Sequence, residues 1–206
     1  SKDESSNVVM KRVWAQGDYK NFQVKLGKMP FFSNETAGML LDDQFSGAQV
    51  TFGNKLKATL EAGRWDLDSA NKQSALHKAA DANDDDAANY QGIMLNGAAG
   101  KLYGGAAYRH FNSNVFTHVD GFKKDADEAN IWSVGAGYKF DNIWNLFGAY
   151  AKNEKAENDA TAHNIQLNYK GAQKANKGTW GAYAAYRYMG QNVAFAPTYE
   201  TFLSAG

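Results

Sequence analysis

The sequence predicts an all-β protein, an antiparallel transmembrane β-barrel of which about ten strands are present. Three observations lead to this fold class. Apolar and polar residues alternate along many segments, short and long connections follow each other in turn, and aromatic residues collect near the segment ends. Alternation over about nine or ten residues is what a tilted, membrane-crossing strand requires.

The predicted strands are defined by their period of two. Residues 131–140 show the pattern, with Trp132 and Val134 on one parity and Ser133 and Lys139 on the other. Residues 55–62 are mostly good helix formers and could be read as a short helix, but their strict alternation favours a strand. The predicted strands are residues 8–18, 22–28, 45–52, 55–62, 89–95, 101–111, 131–140, 143–152, 161–169 and 179–189.

The connections between these strands alternate in length. Short connections rich in Gly, Asn and Asp suit hairpin turns, and longer polar ones suit the loops on the opposite side of a barrel. The short ones are residues 18–21, 53–54, 96–100, 141–142 and 170–178, and the long ones are residues 29–44, 66–88, 112–129 and 153–160. The alternative is an all-β sandwich or a soluble lectin-like barrel, which predicts aromatic residues packed within a core.

Aromatic residues lie at or near the strand ends on the apolar parity. An amphipathic ring suits the headgroup level of a membrane, so two aromatic girdles are typical of outer-membrane barrels. Aromatics on an ordinary sheet face are the competing interpretation. The residues concerned are Trp132, Tyr138, Phe140, Trp144, Trp180, Tyr186 and Tyr188.

Composition excludes several classes of protein. The 22 basic and 22 acidic residues balance, whereas a nucleic-acid-binding protein would show a clustered basic excess. There is no cysteine, which excludes a disulfide framework, a thiolate zinc site and a cysteine nucleophile. No apolar run approaches the roughly 20 residues of a membrane-spanning helix. The mean hydropathy of −0.57 is compatible with a barrel, because every second strand residue faces water.

Motifs for catalysis and for metal binding are not recognised in the sequence. His77, His110, His118 and His163 do not fall in a GxSxG, HExxH or comparable setting. The acidic run at residues 81–86 lacks the alternating ligands and the glycine of an EF-hand loop. We therefore expect no enzymatic activity, no cofactor and no metal site.

Strand polarity predicts that the barrel is incomplete within this sequence. With residues 18–21 as a periplasmic turn, residues 1–7 lie outside, and about ten crossings later the chain ends outside again. Closure then needs further strands on both sides. We expect residues 1–206 to be one barrel domain, an internal stretch of a barrel with about 12 to 18 strands.

Several short runs resemble one family of membrane proteins. They are Leu26-Gly27-Lys28-Met29-Pro30, the segment 38–48, Phe52-Gly53-Asn54-Lys55-Leu56 and Ala62-Gly63-Arg64. They resemble the barrel region of the S-layer-homology-domain outer-membrane porins, the OmpM-like proteins of diderm Firmicutes. The resemblance implies a homotrimeric porin in the bacterial outer membrane, with a peptidoglycan-binding domain on a coiled-coil stalk. Neither the stalk nor that domain falls within these 206 residues.

A polar lumen and its fixed charges would determine which solutes pass. The predicted pore-lining residues are mainly basic, which favours anionic solutes, although a merely solvated sheet face would show the same pattern. Gly135, Gly137 and Gly181 are small residues that favour an open channel. The predicted pore-lining charges are Arg12, Lys25, Lys57, Glu61, Arg109, Lys139 and Arg187, and Gln23, Gln49, Thr51, Asn164 and Gln166 share their parity.

Two long loops are candidates for a role at the channel mouth. Loop 66–88 carries Asp81, Asp84, Asp85 and Asp86, which we expect to face the basic wall at a constriction, unless the loop is simply solvated. Loop 29–44 is unusually apolar, and we expect it to pack inside the mouth or to contact a neighbouring subunit.

The expected function is passive diffusion of small hydrophilic solutes and ions through the outer membrane. Attachment of that membrane to peptidoglycan would come from the domain that the resemblance implies. The expected partners are therefore outer-membrane lipid, solutes and two further copies of the chain, but not nucleic acid. The alternative function is a non-conducting barrel that acts as a surface adhesin or receptor.

Overall fold

A computed structural model describes residues 12–84, 86–169 and 182–199. Over these residues ten strands form one antiparallel sheet, which confirms the predicted fold class. The strands are β1 Val13–Asp18, β2 Phe22–Phe32, β3 Asp42–Gly53, β4 Leu56–Asp66, β5 Ala87–Ala99, β6 Leu102–Asn112, β7 Glu128–Lys139, β8 Trp144–Asn153, β9 Thr161–Tyr169 and β10 Ala182–Met189.

The sheet is a simple meander in which each strand pairs with the next one along the chain. Within the described residues, β1 pairs with β2 alone and β10 with β9 alone, so the two ends of the sheet do not meet. A sandwich would need two packed sheets. Residues 55–62, for which a helix was the alternative, lie within β4 or in the turn before it. The predicted strand residues 8–11 and 179–181 and the turn 170–178 lie outside the described residues.

The connections follow the predicted alternation of short and long. Residues 19–21, 54–55, 100–101 and 140–143 are short and lie at one end of the sheet, which we call the turn end. Residues 33–41, 67–86, 113–127 and 154–160 lie at the opposite end, the loop end. The main differences are in loop 29–44 and turn 96–100. The first four residues of the loop continue β2 and its last three begin β3, because they pair with each other. Residues 96–99 of the predicted turn belong to β5, because they pair with β4 and β6.

Short helices occupy the loop end. They are the 3-10 helices Asn34–Thr36, Leu67–Ser69 and Asn114–His118 and the helix α1, Ala75–Asn83. Ser74 caps α1, because its hydroxyl oxygen accepts a hydrogen bond from the His77 N–H at 3.2 Å. Within the described residues, no helix has both the length and the apolar character that a membrane crossing needs.

The apolar core lies on one face of the sheet, at the loop end. Phe31, Tyr90 and Phe111 are buried there, with ring centroids 4.6 Å apart for Phe31–Tyr90 and 5.0 Å for Tyr90–Phe111. Trp65 stacks on Phe195, which arrives from the segment after β10. We call this the inner face of the sheet, and the core fills its loop-end part.

The opposite, outer face is apolar and exposed. Leu56, Ile165 and Leu26 all lie in paired strands, and yet their exposed fractions are 62 %, 58 % and 55 %. Aromatic side chains lie on this face toward both ends of the strands. Those toward the turn end are Phe22, Phe52, Tyr138, Trp144 and Tyr169, and those toward the loop end are Tyr108, Trp132, Tyr150, Tyr186 and Tyr188.

Candidate functional site

The strand register places predicted pore-lining residues in a row across the inner face. Lys25 pairs with Gln49, Gln49 with Glu61, Glu61 with Gly92 and Gly92 with Arg109. Since directly opposed residues of neighbouring strands point to the same side, these side chains share one face.

The remaining predicted lining charges lie elsewhere on that face or beside it. Lys57 and Arg187 belong to a second row, linked through Asn96 on β5 and Asn164 on β9. Lys139 is exposed near the turn end, with its ammonium 5.4 Å from the centroid of the Tyr103 ring. Arg12 precedes β1 and donates to the Asp43 carbonyl at 3.3 Å.

Loop 33–41 folds over the inner face and brings a carboxylate to Arg109. Nη1 and Nη2 of Arg109 donate to Oε1 and Oε2 of Glu35 at 2.5 and 3.1 Å, and the Ser133 hydroxyl donates to Oε1 at 2.7 Å. The two charged side chains are 1 % and 0 % exposed. A fork-to-fork pair of this kind supplies both energy and fixed geometry.

The environment of Glu35 determines its protonation. Burial alone would raise the pKa of this carboxyl, but the charge of Arg109 and the donated hydrogen bonds outweigh it, so the pKa lies below its ordinary value. Glu35 is therefore ionised at neutral pH, and the buried pair is an ion pair.

Glycine at position 135 makes room for the loop. A Cβ atom at Gly135 would collide with the backbone carbonyl oxygen of Glu35, and one at Gly137 would collide with the Tyr103 ring. The expectation that these two glycines leave the channel open is therefore wrong, because the loop and Tyr103 occupy the space beside them. Gly181, the third residue of that expectation, lies outside the described residues.

The loop is held in shape by its own hydrogen bonds. The Ser33 hydroxyl oxygen accepts from the N–H groups of Leu40 and Leu41, at 3.2 and 3.1 Å. Ala37 and Gly38 have positive φ angles of 54° and 81°, which turn the chain back after the 3-10 helix. Met39, Leu40 and Leu41 are buried in the core, so the apolar loop packs inside the mouth, as one of the two sequence-based alternatives had it.

The segment after β10 holds loop 33–41 in place through backbone hydrogen bonds and apolar packing. We call residues 190–199 the strap. The Asp42 N–H donates to the Ala196 carbonyl at 2.7 Å, and the Ala196 N–H donates to the Leu40 carbonyl at 3.0 Å. Phe195 lies among Trp65, Phe111 and Phe116. The strap was not predicted from the sequence, because local patterns do not encode a contact between segments so distant in the chain.

Glu61 is the second buried carboxylate of the inner face, but its partners are neutral. It accepts from the Tyr90 hydroxyl at 2.9 Å and from the Gln49 amide at 2.8 Å. Beside it opens a cleft of about 250 Å³ between the strand wall and loop 33–41. Lys25, Gln49 and Asn96 also line this cleft.

The predicted constriction aspartates that the structure describes are exposed at the loop end. Asp81 and Asp84 are exposed at the end of α1, and Asp86 is exposed just before β5. Asp85 lies outside the described residues. The carboxylates of Asp66, Asp68 and Asp86 come within 4.8 Å of one another, and all three are exposed. In the described part of the chain, the carboxylate that meets the basic row directly is Glu35, and the constriction role of loop 66–88 stays a prediction.

The sequence and the fold were compared with those of known proteins. Neither a protein-family model nor a curated protein matches the sequence. Among solved structures, the fold is similar to that of Salmonella typhi OmpF in complex with daunomycin, with a TM-score of 0.48 and 14 % sequence identity. The match covers 85 % of this chain and 53 % of that one, so the chain spans about half the length of that protein.

Proposed function

We propose that this chain is part of a bacterial outer-membrane porin, through which small hydrophilic solutes and ions diffuse passively. One observation carries the proposal: the sheet is apolar on its exposed outer face and charged on its inner face. A water-soluble protein would have the opposite arrangement, since a large exposed apolar surface is costly in water. This arrangement is favourable when the outer face of the sheet contacts lipid and its inner face contacts water.

The aromatic side chains support a membrane of ordinary thickness around this sheet. Trp132 and Tyr138 lie on the outer face of β7, six residues apart, which corresponds to roughly 20 Å along a strand. Trp132 contacts Tyr150, and Trp144 contacts Tyr169, so neighbouring strands contribute to two bands. An apolar band of about 25 Å between aromatic girdles is typical of outer-membrane barrels.

Among the described residues, the outer edges of β1 and β10 have no partner strand, and further strands at these edges would complete the barrel. A free edge exposes a row of N–H and C=O groups, which cannot be left unpaired in lipid. We propose that these 206 residues belong to a barrel of about 12 to 18 strands that assembles as a trimer. Anchoring to peptidoglycan through a further domain rests on the family resemblance alone.

The charges of the inner face favour anions over cations. Arg109 is neutralised by Glu35, but Lys25, Lys57 and Lys139 have no carboxylate within 4.0 Å among the described residues. Asp18, Asp43 and Glu61 are the opposing charges on this wall, and Arg187 is a fourth cation there. A net positive wall raises the local concentration of anions and so biases permeation.

Single-channel recording of the full-length protein in a planar bilayer tests the proposal. We expect stable conductance steps and, in a salt gradient, a reversal potential of the sign that indicates anion preference. A silent bilayer, with protein that is shown to be folded and inserted, would contradict a porin function.

The packed loop end favours the second candidate, a non-conducting barrel that acts as a surface receptor or adhesin. Phe31, Trp65, Phe111 and Phe195 fill the loop-end part of the inner face, and the strap crosses above them. A lumen filled in this way along its whole perimeter would not conduct. The same bilayer experiment separates the two candidates, since the receptor predicts insertion without conductance.

A further inference from the structure

Loop 33–41 divides the inner face and leaves a polar cleft beside β2, β3, β4 and β5. The loop packs on β5, β6, β7 and β8, where Glu35 meets Arg109 and Ser133. On the side of the loop that faces β2 to β5, the cleft of about 250 Å³ lies between Asn34 of the loop and the strand wall. Solutes that travel along this part of the inner face therefore pass through the cleft.

The wall of the cleft carries two opposite charges without ion-pair partners. Glu61 is 6 % exposed and is bound by the neutral groups of Gln49 and Tyr90. No described basic nitrogen lies within 4.0 Å of its carboxylate, in contrast to that of Glu35. The Lys25 ammonium lies 5.8 Å from the Trp14 ring centroid, and no described carboxylate is within 4.0 Å of it.

The register fixes the distance between these charges. Lys25 and Glu61 occupy strands on either side of β3, with Gln49 between them. Two strand spacings separate their Cα atoms by roughly 10 Å. The Lys25 side chain is long and flexible, so its ammonium can approach a solute that is bound near Glu61.

The volume of the cleft and the residues that line it limit which solutes can bind there. A volume of about 250 Å³ corresponds to about eight water molecules, which is room for a solute the size of an amino acid. Met29 and Met94 provide an apolar patch in the same cleft, and thioethers adapt to side chains of different shape.

We propose that the cleft is a selective site for small zwitterions of amino-acid size, with the solute ammonium at Glu61 and the solute carboxylate at Lys25. This inference rests on the proposed porin function and names the class of solute that the pore favours. A neutral polyol of the same size satisfies neither charge, and a simple anion or cation satisfies only one of them.

Osmotic swelling of liposomes that contain the full-length protein tests the inference. The rates of entry of glycine or alanine are compared with the rate of a neutral polyol of similar size, in the parent protein and in Glu61→Gln and Lys25→Gln. Lys78→Gln is the matched control, because it removes an exposed lysine of α1 that lies outside both the cleft and the predicted pore lining. Folding of each variant is checked by heat-dependent gel mobility.

We expect the parent to admit the zwitterion faster than the polyol, and each cleft variant to lower that ratio about threefold, as the loss of one charge contact with the solute would. Lys78→Gln should leave the ratio unchanged. Swelling that follows solute size alone in all four proteins would overturn the inference and leave the porin function intact. No swelling with any solute would overturn both. Because Lys25 is only partly buried, its variant tests the site even where Glu61→Gln fails to fold.

Discussion

Glu35 and Arg109 lie 74 residues apart in the chain and form a buried, two-pronged ion pair on the inner face of the sheet. The pair joins the loop between β2 and β3 to β6, which is three strands beyond β3 in the sheet. Taking two charges out of water is costly, and their attraction and the hydrogen bond from Ser133 must offset that cost. The loop is therefore fixed by a contact that tolerates the loss of neither partner.

Arg109→Met should destabilise the protein strongly. The substitution leaves the Glu35 carboxylate buried without its cation, which costs about 3–5 kcal/mol. Urea unfolding in detergent micelles, followed by tryptophan fluorescence, measures the change. The double variant Glu35→Gln with Arg109→Met should recover much of the loss, because the buried charge is gone. Strictly additive effects would show that the two residues do not interact in solution.

Acidification should weaken the same contact. The pKa of Glu35 in the folded protein lies below its ordinary value of 4.5, because the Arg109 charge and the donated hydrogen bonds together outweigh the effect of burial. The folded state thus binds fewer protons, and the stabilisation is complete above pH 4.5 and is lost as the pH falls through the folded pKa. The free energy of unfolding as a function of pH should therefore fall less steeply below pH 4.5 in Glu35→Gln than in the parent. Parallel curves would contradict the assignment.

Gly135→Ala should displace the loop. A Cβ at this position meets the Glu35 carbonyl oxygen, a backbone atom that cannot rotate away. Overpacking of this kind costs about 1–3 kcal/mol, measured by urea unfolding. Gly148→Ala is the matched control, since the nearest atom to its Cβ would be the Asn164 carbonyl oxygen at 3.7 Å, an ordinary contact. Equal losses in the two variants would show that the loop does not occupy this place.

The strands could be predicted from the sequence because their signal is local. A period of two repeats within each strand, and turn residues mark where it stops. The register also follows, since a shift by one residue would turn Lys25 and Glu61 outward and bury Leu26 and Leu60 on the charged face. The residues of the inner face could therefore be predicted from their odd or even position along each strand.

The loop contacts could not be predicted in the same way, because they depend on packing between distant segments. The Thr198 hydroxyl donates to the Asp42 carboxylate across 156 residues, and no periodicity encodes such a contact. One signal was present, however. Glu35 is the single charged residue from Phe31 to Leu41, a segment with large apolar side chains at both ends, and a buried carboxylate requires a partner.

Phe195→Ala should release the strap. The ring is fully buried between Trp65 and Phe116, and removal of a buried phenylalanine side chain costs about 3–5 kcal/mol. The strap should then become sensitive to brief proteolysis under conditions in which the strands resist it. Thr198→Ser, at an exposed strap residue, should behave like the parent. A strap that stays resistant in Phe195→Ala would indicate that its backbone hydrogen bonds suffice to hold it.

Ion selectivity should depend more on the inner-face lysines than on the aspartates of loop 66–88. The double variant Lys57→Glu with Lys139→Glu reverses two charges on the face that we propose borders the pore, and should shift the reversal potential in a salt gradient toward cations. The triple variant Asp81→Asn, Asp84→Asn and Asp86→Asn should shift it less, and toward anions. Those carboxylates are exposed, and at physiological ionic strength a field is screened over about 8 Å. A larger effect of the aspartates would mean that loop 66–88, rather than loop 33–41, narrows the pore.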